Sequence, residues 1–157
     1  ASDVYKRQIQ ALLRVCNVHG VILATNGVTA EAVLQYFAKQ QEAHLIFNPV
    51  AGQGNAEQEL QLIQQLLQPH MNLHIHYTTS EIGPAELVKT ALERQADVVI
   101  GSGGDGTISA VAGALIGTDI PMGIIPRGTA NAFAVALGIP RFLPIRTACQ
   151  VILAGNK

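Results

Sequence analysis

Charge is what this chain has least of. Only 13% of its 157 residues are Asp, Glu, Lys or Arg, against the ~25% usual for globular domains. The net charge is −1, which gives no electrostatic basis for binding nucleic acid or an anionic membrane. With 48% hydrophobic residues, the shortage of charge implies that further protein normally covers part of the surface. Cysteine is nearly absent: Cys16 and Cys149 are too few and too far apart for a disulfide framework or a metal cluster, and they read as buried thiols. No apolar run approaches the ~18 residues of a membrane span, and no signal peptide opens the chain. These absences point to a cytoplasmic protein, with no transmembrane segment and a chain long enough for one domain with a real core.

The rest is organised around residues 97–107, Asp-Val-Val-Ile-Gly-Ser-Gly-Gly-Asp-Gly-Thr. Val98-Val99-Ile100 reads as a buried strand. Gly101, Gly103, Gly104 and Gly106 then forbid its continuation and leave a loop without β-carbons. Beyond it Ile108, Val111, Ala112, Leu115 and Ile116 recur at helical spacing. Strand, glycine loop and helix together aim free backbone N–H groups and a helix dipole at one point, which favours an anion such as phosphate. A Walker A loop is excluded, since no Gly-Lys-Ser/Thr follows. Gly101, Gly103 and Gly106 fit the dinucleotide pattern, but the next strand, 122–125, ends in Pro126-Arg127-Gly128 without the required acid. A glycine turn with no ligand is the plain alternative. The core Gly103-Gly104-Asp105-Gly106-Thr107 resembles the signature shared by diacylglycerol kinases, bacterial lipid kinases of that type and NAD kinases.

Along the chain, residues 1–8 look foreign, Asp3 to Gln8 resembling a translated transposon-end sequencing adapter, and are set aside. From Ile9 the pattern is helical, with Ile9, Leu12, Leu13 and Cys16 on one face and Gly20 as C-terminal cap. Residues 21–24 read as a strand, and Thr29 caps a helix reaching about Lys39. Residues 9–34, through Gln10-Ala11-Leu12-Leu13-Arg14 and Ala24-Thr25-Asn26, resemble the carboxyl-terminal part of methylglyoxal synthase. That family eliminates phosphate from dihydroxyacetone phosphate; here Gln8 and Tyr5 stand where its catalytic carboxylate and histidine belong. The resemblance implies an inactive remnant, and a parent that fuses the two domains.

Gln40-Gln41-Glu42 is a polar joint, giving domains over 9–41 and 42–157. A strand over 44–47 runs into Asn48-Pro49-Val50-Ala51-Gly52, where Pro49 stops strand pairing and Gly52 frees the backbone. Asn55 with Gln58 opens a helix whose inward face is Leu60, Ile63, Leu66 and Leu67. Leu73, Ile75 and Tyr77 alternate with His74 and His76 along a strand; two histidines invite a metal, but no third ligand of suitable spacing follows, so they read as solvent-facing. Thr79 lies in a polar loop ahead of a helix begun by Pro84 and buried through Leu87, Val88, Ala91 and Leu92. After strand 122–125, Thr129 caps a helix over 130–137 that ends at Gly138, and Arg127 meets either a phosphate or solvent. A last helix covers 145–154.

From residue 43 onward the repeated strand–helix order predicts an α/β fold with a doubly wound, mostly parallel sheet and right-handed crossovers. Asn48, Thr79, Gly104 to Thr107 and Thr129 then fall at the carboxyl edge, where such sheets bind ligands. What gathers there is neutral apart from one carboxylate, which suits a polyphosphate carried with a divalent cation.

Asn48-Pro49-Val50-Ala51-Gly52 also resembles the Asn-Pro-x-Ala/Ser-Gly motif of the lipid kinases. Pro126-Arg127-Gly128-Thr129-Ala130-Asn131-Ala132-Phe133 resembles their Pro-x-Gly-Thr-x-Asn-Asp-Phe, with Ala132 in place of Asp. The resemblance implies the nucleotide-binding half of an ATP-dependent kinase of the diacylglycerol kinase type, with ATP and Mg²⁺ as cofactors. It implies phosphate-holding roles for Asn48, Pro49, Val50, Ala51, Gly52, Thr79, Gly103, Gly104, Asp105, Gly106, Thr107 and Thr129, with Asp105 toward the metal. The lipid acceptor and general base belong, in that family, to a later β-rich domain, so the parent associates peripherally with membranes while this chain binds nucleotide without efficient turnover. Ser109 and Ala110 depart from the family's Asn and Glu. NAD kinase is the nearest rival, but its Asn-x-Gly-x-Leu-Gly-Phe-Leu segment is missing; a phosphosugar lyase activity of the fused parent and a nucleotide sensor are the others.

Overall fold

The computed structural model describes residues 2–38, 40–140 and 143–155. The chain divides into two units, Ala1–Lys39 and Gln40–Lys157, the division falling at the start of the polar Gln40-Gln41-Glu42 stretch.

The first unit is two helices, α1 (Ser2–Val18) and α2 (Gly27–Ala38). Helix α1 starts seven residues before Ile9 and runs straight through the segment set aside as foreign. It stops as expected at Gly20, whose φ of +63° lets Val21 N–H reach back to the Cys16 carbonyl at 2.8 Å, a closure that a β-carbon would strain. The strand expected over 21–24 does not form, since no partner strand lies among the described residues of this unit to take its hydrogen bonds. Thr29 is not the cap of α2; Asn26 is, its Oδ1 accepting from Thr29 N at 2.9 Å. Lys39, the expected end of that helix, lies outside the described residues. Among the described residues of this unit none is buried, and Ile9, Leu12 and Leu13 are exposed.

The second unit is the doubly wound sheet. Strands β1 (Gln41–Phe47), β2 (Met71–Tyr77), β3 (Val98–Gly103) and β4 (Met122–Pro126) alternate with α3 (Ala56–Leu67), α4 (Pro84–Glu93), α5 (Asp105–Leu115), α6 (Ala132–Ala136) and α7 (Ile145–Ala154). All pairings are parallel, in the order β2-β1-β3-β4. Alternation along β1 sorts the core into two layers. Ala43, Leu45 and Phe47 pack with Leu60, Ile63, Leu67, Ala148 and Cys149 of α3 and α7; Ile46 packs with Val88, Ala91, Val111 and Leu115 of α4 and α5. Burial pushes the Cys149 thiol up to about 11, so it is inert filler, whereas Cys16 is only half-buried.

Strand β3 continues through Gly101, Ser102 and Gly103, beyond the Ile100 end that the glycines imply. Neighbours on both sides hold it: Gly101 opposes Ile46 and Ile124, and Gly103 opposes Pro126. The missing β-carbons serve packing instead, for one on Gly101 would sit 3.1 Å from Met122 Cε. Ile116, expected on the buried face of α5, is 83% exposed because the helix ends before it, at Leu115.

Candidate functional site

Loops leaving the carboxyl ends of β1, β2 and β3 enclose a cleft of about 590 Å³, lined by Asn48, Val50, Ala51, Thr78, Thr79, Ser80, Pro84, Gly104, Gly106 and Thr107. Strands β1 and β3 are adjacent while β2 and β4 lie on opposite sides of them. The chain therefore leaves the two central strands in opposite directions, and the loops part to leave a crevice at this switch point.

Asn48 is fixed on every side. Its N–H donates to the Ser102 carbonyl at 2.9 Å, its Nδ2 donates to Thr107 Oγ1 at 3.0 Å, and its Oδ1 accepts from Val50 N at 3.1 Å. Thr107 lies over Gly103, where a β-carbon would come within 2.7 Å of the threonine hydroxyl; that is why Gly103 is needed. Helix α5 opens at Gly104, which brings no side-chain cap. The N–H groups of its first turn consequently have no intrahelical acceptor and face a ligand or solvent. Thr79 lies on the opposite wall, its Oγ1 accepting from Glu81 N and Ile82 N at 3.2 and 3.0 Å, so it both closes its own turn and borders the cleft.

Of the residues expected at the site, Asn48, Val50, Ala51, Thr79, Gly104, Gly106 and Thr107 line the cleft, while Pro49, Gly52, Gly103, Asp105 and Thr129 lie outside its lining. Asp105 turns to a neighbouring loop. Its two carboxylate oxygens accept from Ala132 N and Phe133 N, both at 2.9 Å, and so cap α6 from 27 residues away. The expected cap, Thr129, is exposed and the helix starts at Ala132 rather than 130. Asn131, just ahead of the helix, is left-handed at φ +46°, and Gly128 approaches Gly104 so closely that a β-carbon would come 2.8 Å from the Gly104 Cα.

Arg127 is turned away from both the cleft and solvent. It is 6% exposed and is absent from the cleft lining; Nε donates to Glu59 Oε2 at 2.6 Å, and the terminal nitrogens donate to the Asn48 and Ala51 carbonyls at 2.8 and 3.0 Å. Thr78, Ser80 and Pro84 were missed by motif reading. Their only signal is adjacency to Thr79 and to the start of α4.

His74 and His76 are only partly exposed. They stack with buried His44 at centroid distances of 4.7 and 5.1 Å, and Glu42 pairs with His74. Among the described residues no group of three or more His, Cys, Asp or Glu could hold a metal ion. A larger groove of about 920 Å³ follows the open edge of β4 past Met122, Ile124, Leu143 and Ile152, but the glycine loops do not reach it.

Comparison with known proteins agrees with this fold. Residues 42–157 match the diacylglycerol kinase catalytic domain. The chain belongs to that family. It is 37% identical over 115 residues to the diacylglycerol kinase of Bacillus subtilis, covering 71% of this chain and 38% of that protein. A crystal structure of a diacylglycerol kinase from Bacillus anthracis superposes with a TM-score of 0.62 at 33% identity, over 75% of this chain and 41% of that one. An uncharacterized protein of Synechocystis sp. is 50% identical over 162 residues, covering 96% of this chain and 37% of the relative; that share takes in most of the first unit as well. The chain thus spans little more than a third of the length of these curated relatives. Among the described residues no helix is long and apolar enough to cross a membrane.

Proposed function

We propose that the second unit of this diacylglycerol kinase family chain binds ATP with Mg²⁺ in the cleft between β1 and β3, as the nucleotide-binding half of a cytoplasmic kinase that phosphorylates a lipid hydroxyl. The observation that carries this reading is the convergence of three separate loops on one crevice at the switch point of the sheet. The N-terminus of α5, together with the Asn48, Thr79 and Thr107 side chains, presents donors to phosphate oxygens. Asp105 stands between the lining residues Gly104 and Gly106. Each of its oxygens accepts one amide and keeps a lone pair for the waters of a Mg²⁺, an ion that takes few protein ligands and binds chiefly through substrate phosphates. The metal would neutralise phosphate charge, and the chain's own groups would hold the triphosphate tail in place.

The acceptor and general base belong, on this reading, to the remaining length of the relatives. Titration of the 157-residue chain with ATP and MgCl₂ by calorimetry is expected to give saturable binding, and incubation with diacylglycerol vesicles is expected to give no phosphatidic acid. Lack of ATP binding would overturn the reading. Turnover by this chain alone would overturn the division of labour.

For the first unit we infer a carboxyl-terminal remnant of a methylglyoxal synthase-like domain, with residues 1–8 foreign to it. Support comes from the motif resemblance over residues 9–34 and from the exposed apolar face of α1, which demands cover. Sequencing the reading frame upstream of Ile9 is expected to find the rest of such a domain; an unrelated sequence there sinks the inference.

A further inference from the structure

The loop after β1 reaches the cleft through Asn48, Val50 and Ala51, yet it is held from behind. Behind it stands Arg127, the residue that follows β4, with its guanidinium 4.2 Å from the centre of the Phe47 ring. Its side chain is 1% exposed, and Glu59 of α3, 26% exposed, pairs with it at 2.6 Å. A charge so buried is tolerated only when paired and hydrogen-bonded, and here Glu59 supplies the countercharge while the Asn48 and Ala51 carbonyls take the remaining donors. The grip also orients backbone. With no cis peptide among the described residues, an Ala51 carbonyl turned to Arg127 leaves the Gly52 N–H facing away from it. The Arg127 carbonyl in turn closes over Gly52, where a β-carbon would lie 3.0 Å from it and where φ is +94°. One side chain thus joins β1, the loop, α3 and β4.

We propose that Arg127, with Glu59, is a positioning residue of the nucleotide site: it fixes residues 48–52 so that the loop presents Asn48 and Ala51 to the phosphates. Its guanidinium is committed to the protein, and Glu59 keeps it from drawing the phosphates out of the cleft. The inference rests on the nucleotide reading above.

The test uses the 157-residue chain, with ATP–Mg²⁺ affinity, melting temperature and amide hydrogen exchange measured for each variant. Arg127→Lys keeps the charge but loses the planar fork that serves three acceptors at once. It is expected to weaken ATP binding about tenfold, the loss of one charge-assisted bond's worth of order, and to speed exchange at residues 50–54 while α4 and α5 stay protected. Glu59→Gln, at a side chain 26% exposed, keeps the shape and one acceptor but removes the countercharge, so its melting temperature is expected to fall; the sign of its effect on ATP binding decides between roles. As a positioning pair it weakens ATP binding; if Arg127 were instead a phosphate ligand held back by Glu59, releasing it would tighten binding. Tighter binding by Glu59→Gln, or unchanged affinity and loop exchange in Arg127→Lys, overturns the proposal. If the unmodified chain binds no ATP, the nucleotide reading fails first; if it binds and neither variant differs, only the positioning role fails.

Discussion

Gly128 shows how little space separates the functional loops. Its would-be β-carbon meets the Gly104 Cα at 2.8 Å and Asn131 Oδ1 at 3.1 Å; a main-chain obstacle cannot rotate away as a side chain can. Gly128→Ala is therefore expected to cost about 1–3 kcal/mol, read as a lowered urea midpoint, and to weaken ATP binding by spreading the loops after β3 and β4. Asp105 is the complementary case. Asp105→Asn retains one acceptor for α6 but turns an NH₂ toward the second amide and removes the negative charge from a helix N-terminus. The expected loss is about 1 kcal/mol, seen as a lower melting temperature even without nucleotide; an unchanged melting temperature would show that the cap carries no stability. Motif reading singled out Asp105 for a role toward the metal and could not see this capping role, because the amides it caps lie 27 and 28 residues on. Arg127 was misjudged for the same reason: whether a guanidinium meets phosphate, water or carbonyls depends on which loops the fold brings around it.

Among the elements, the β1–β2 edge has a pH response built into it. His44 lies directly opposite His74, and His44 Nδ1 shares a hydrogen bond with His76 Nε2 at 2.8 Å. His44 Nε2 is buried and has no hydrogen-bond partner among the described residues. Burial lowers the pKa of His44 from 6.5 to about 4, with the positive charges of His74, His76 and Arg94 adding and Glu42 opposing; burial also lowers that of His76. The unfolded chain takes up the His44 proton near pH 6.5 and the folded chain only near 4. Between those values the unfolded state binds more protons, so stability is complete above the upper one and falls as pH drops toward the lower. Urea midpoints measured across that window are expected to decline, and His44→Leu to flatten the decline; an equally steep decline in the variant would assign it to other groups. Alternating His and apolar residues revealed the strand, but not that its histidines are partly covered. His44, 30 residues before His74, stacks on both rings.

At the scale of the molecule, ligand placement follows from strand order. The order β2-β1-β3-β4 places the switch point between β1 and β3, so ATP is expected to protect backbone amides at 48–51, 78–80 and 104–107. It should leave the β4 edge at 118–123 unprotected in hydrogen-exchange mass spectrometry. Protection at that edge instead would move the site to the apolar groove beside Met122 and Ile152. Every residue lining the cleft belongs to Gln40–Lys157.

What the sequence determined by itself was local and periodic: the strand–helix alternation from residue 43, the Asn55 and Gly20 caps, and the glycine and threonine loops at strand ends. Each depends on residues within a turn or two of one another, so composition and spacing carry the information. Tertiary structure alone decided strand order, the continuation of β3 through its glycines, the turning of Asp105 to α6, and the burial of Arg127 and His44. In each of these the partner lies tens of residues away, and folding brings it within hydrogen-bonding or van der Waals range.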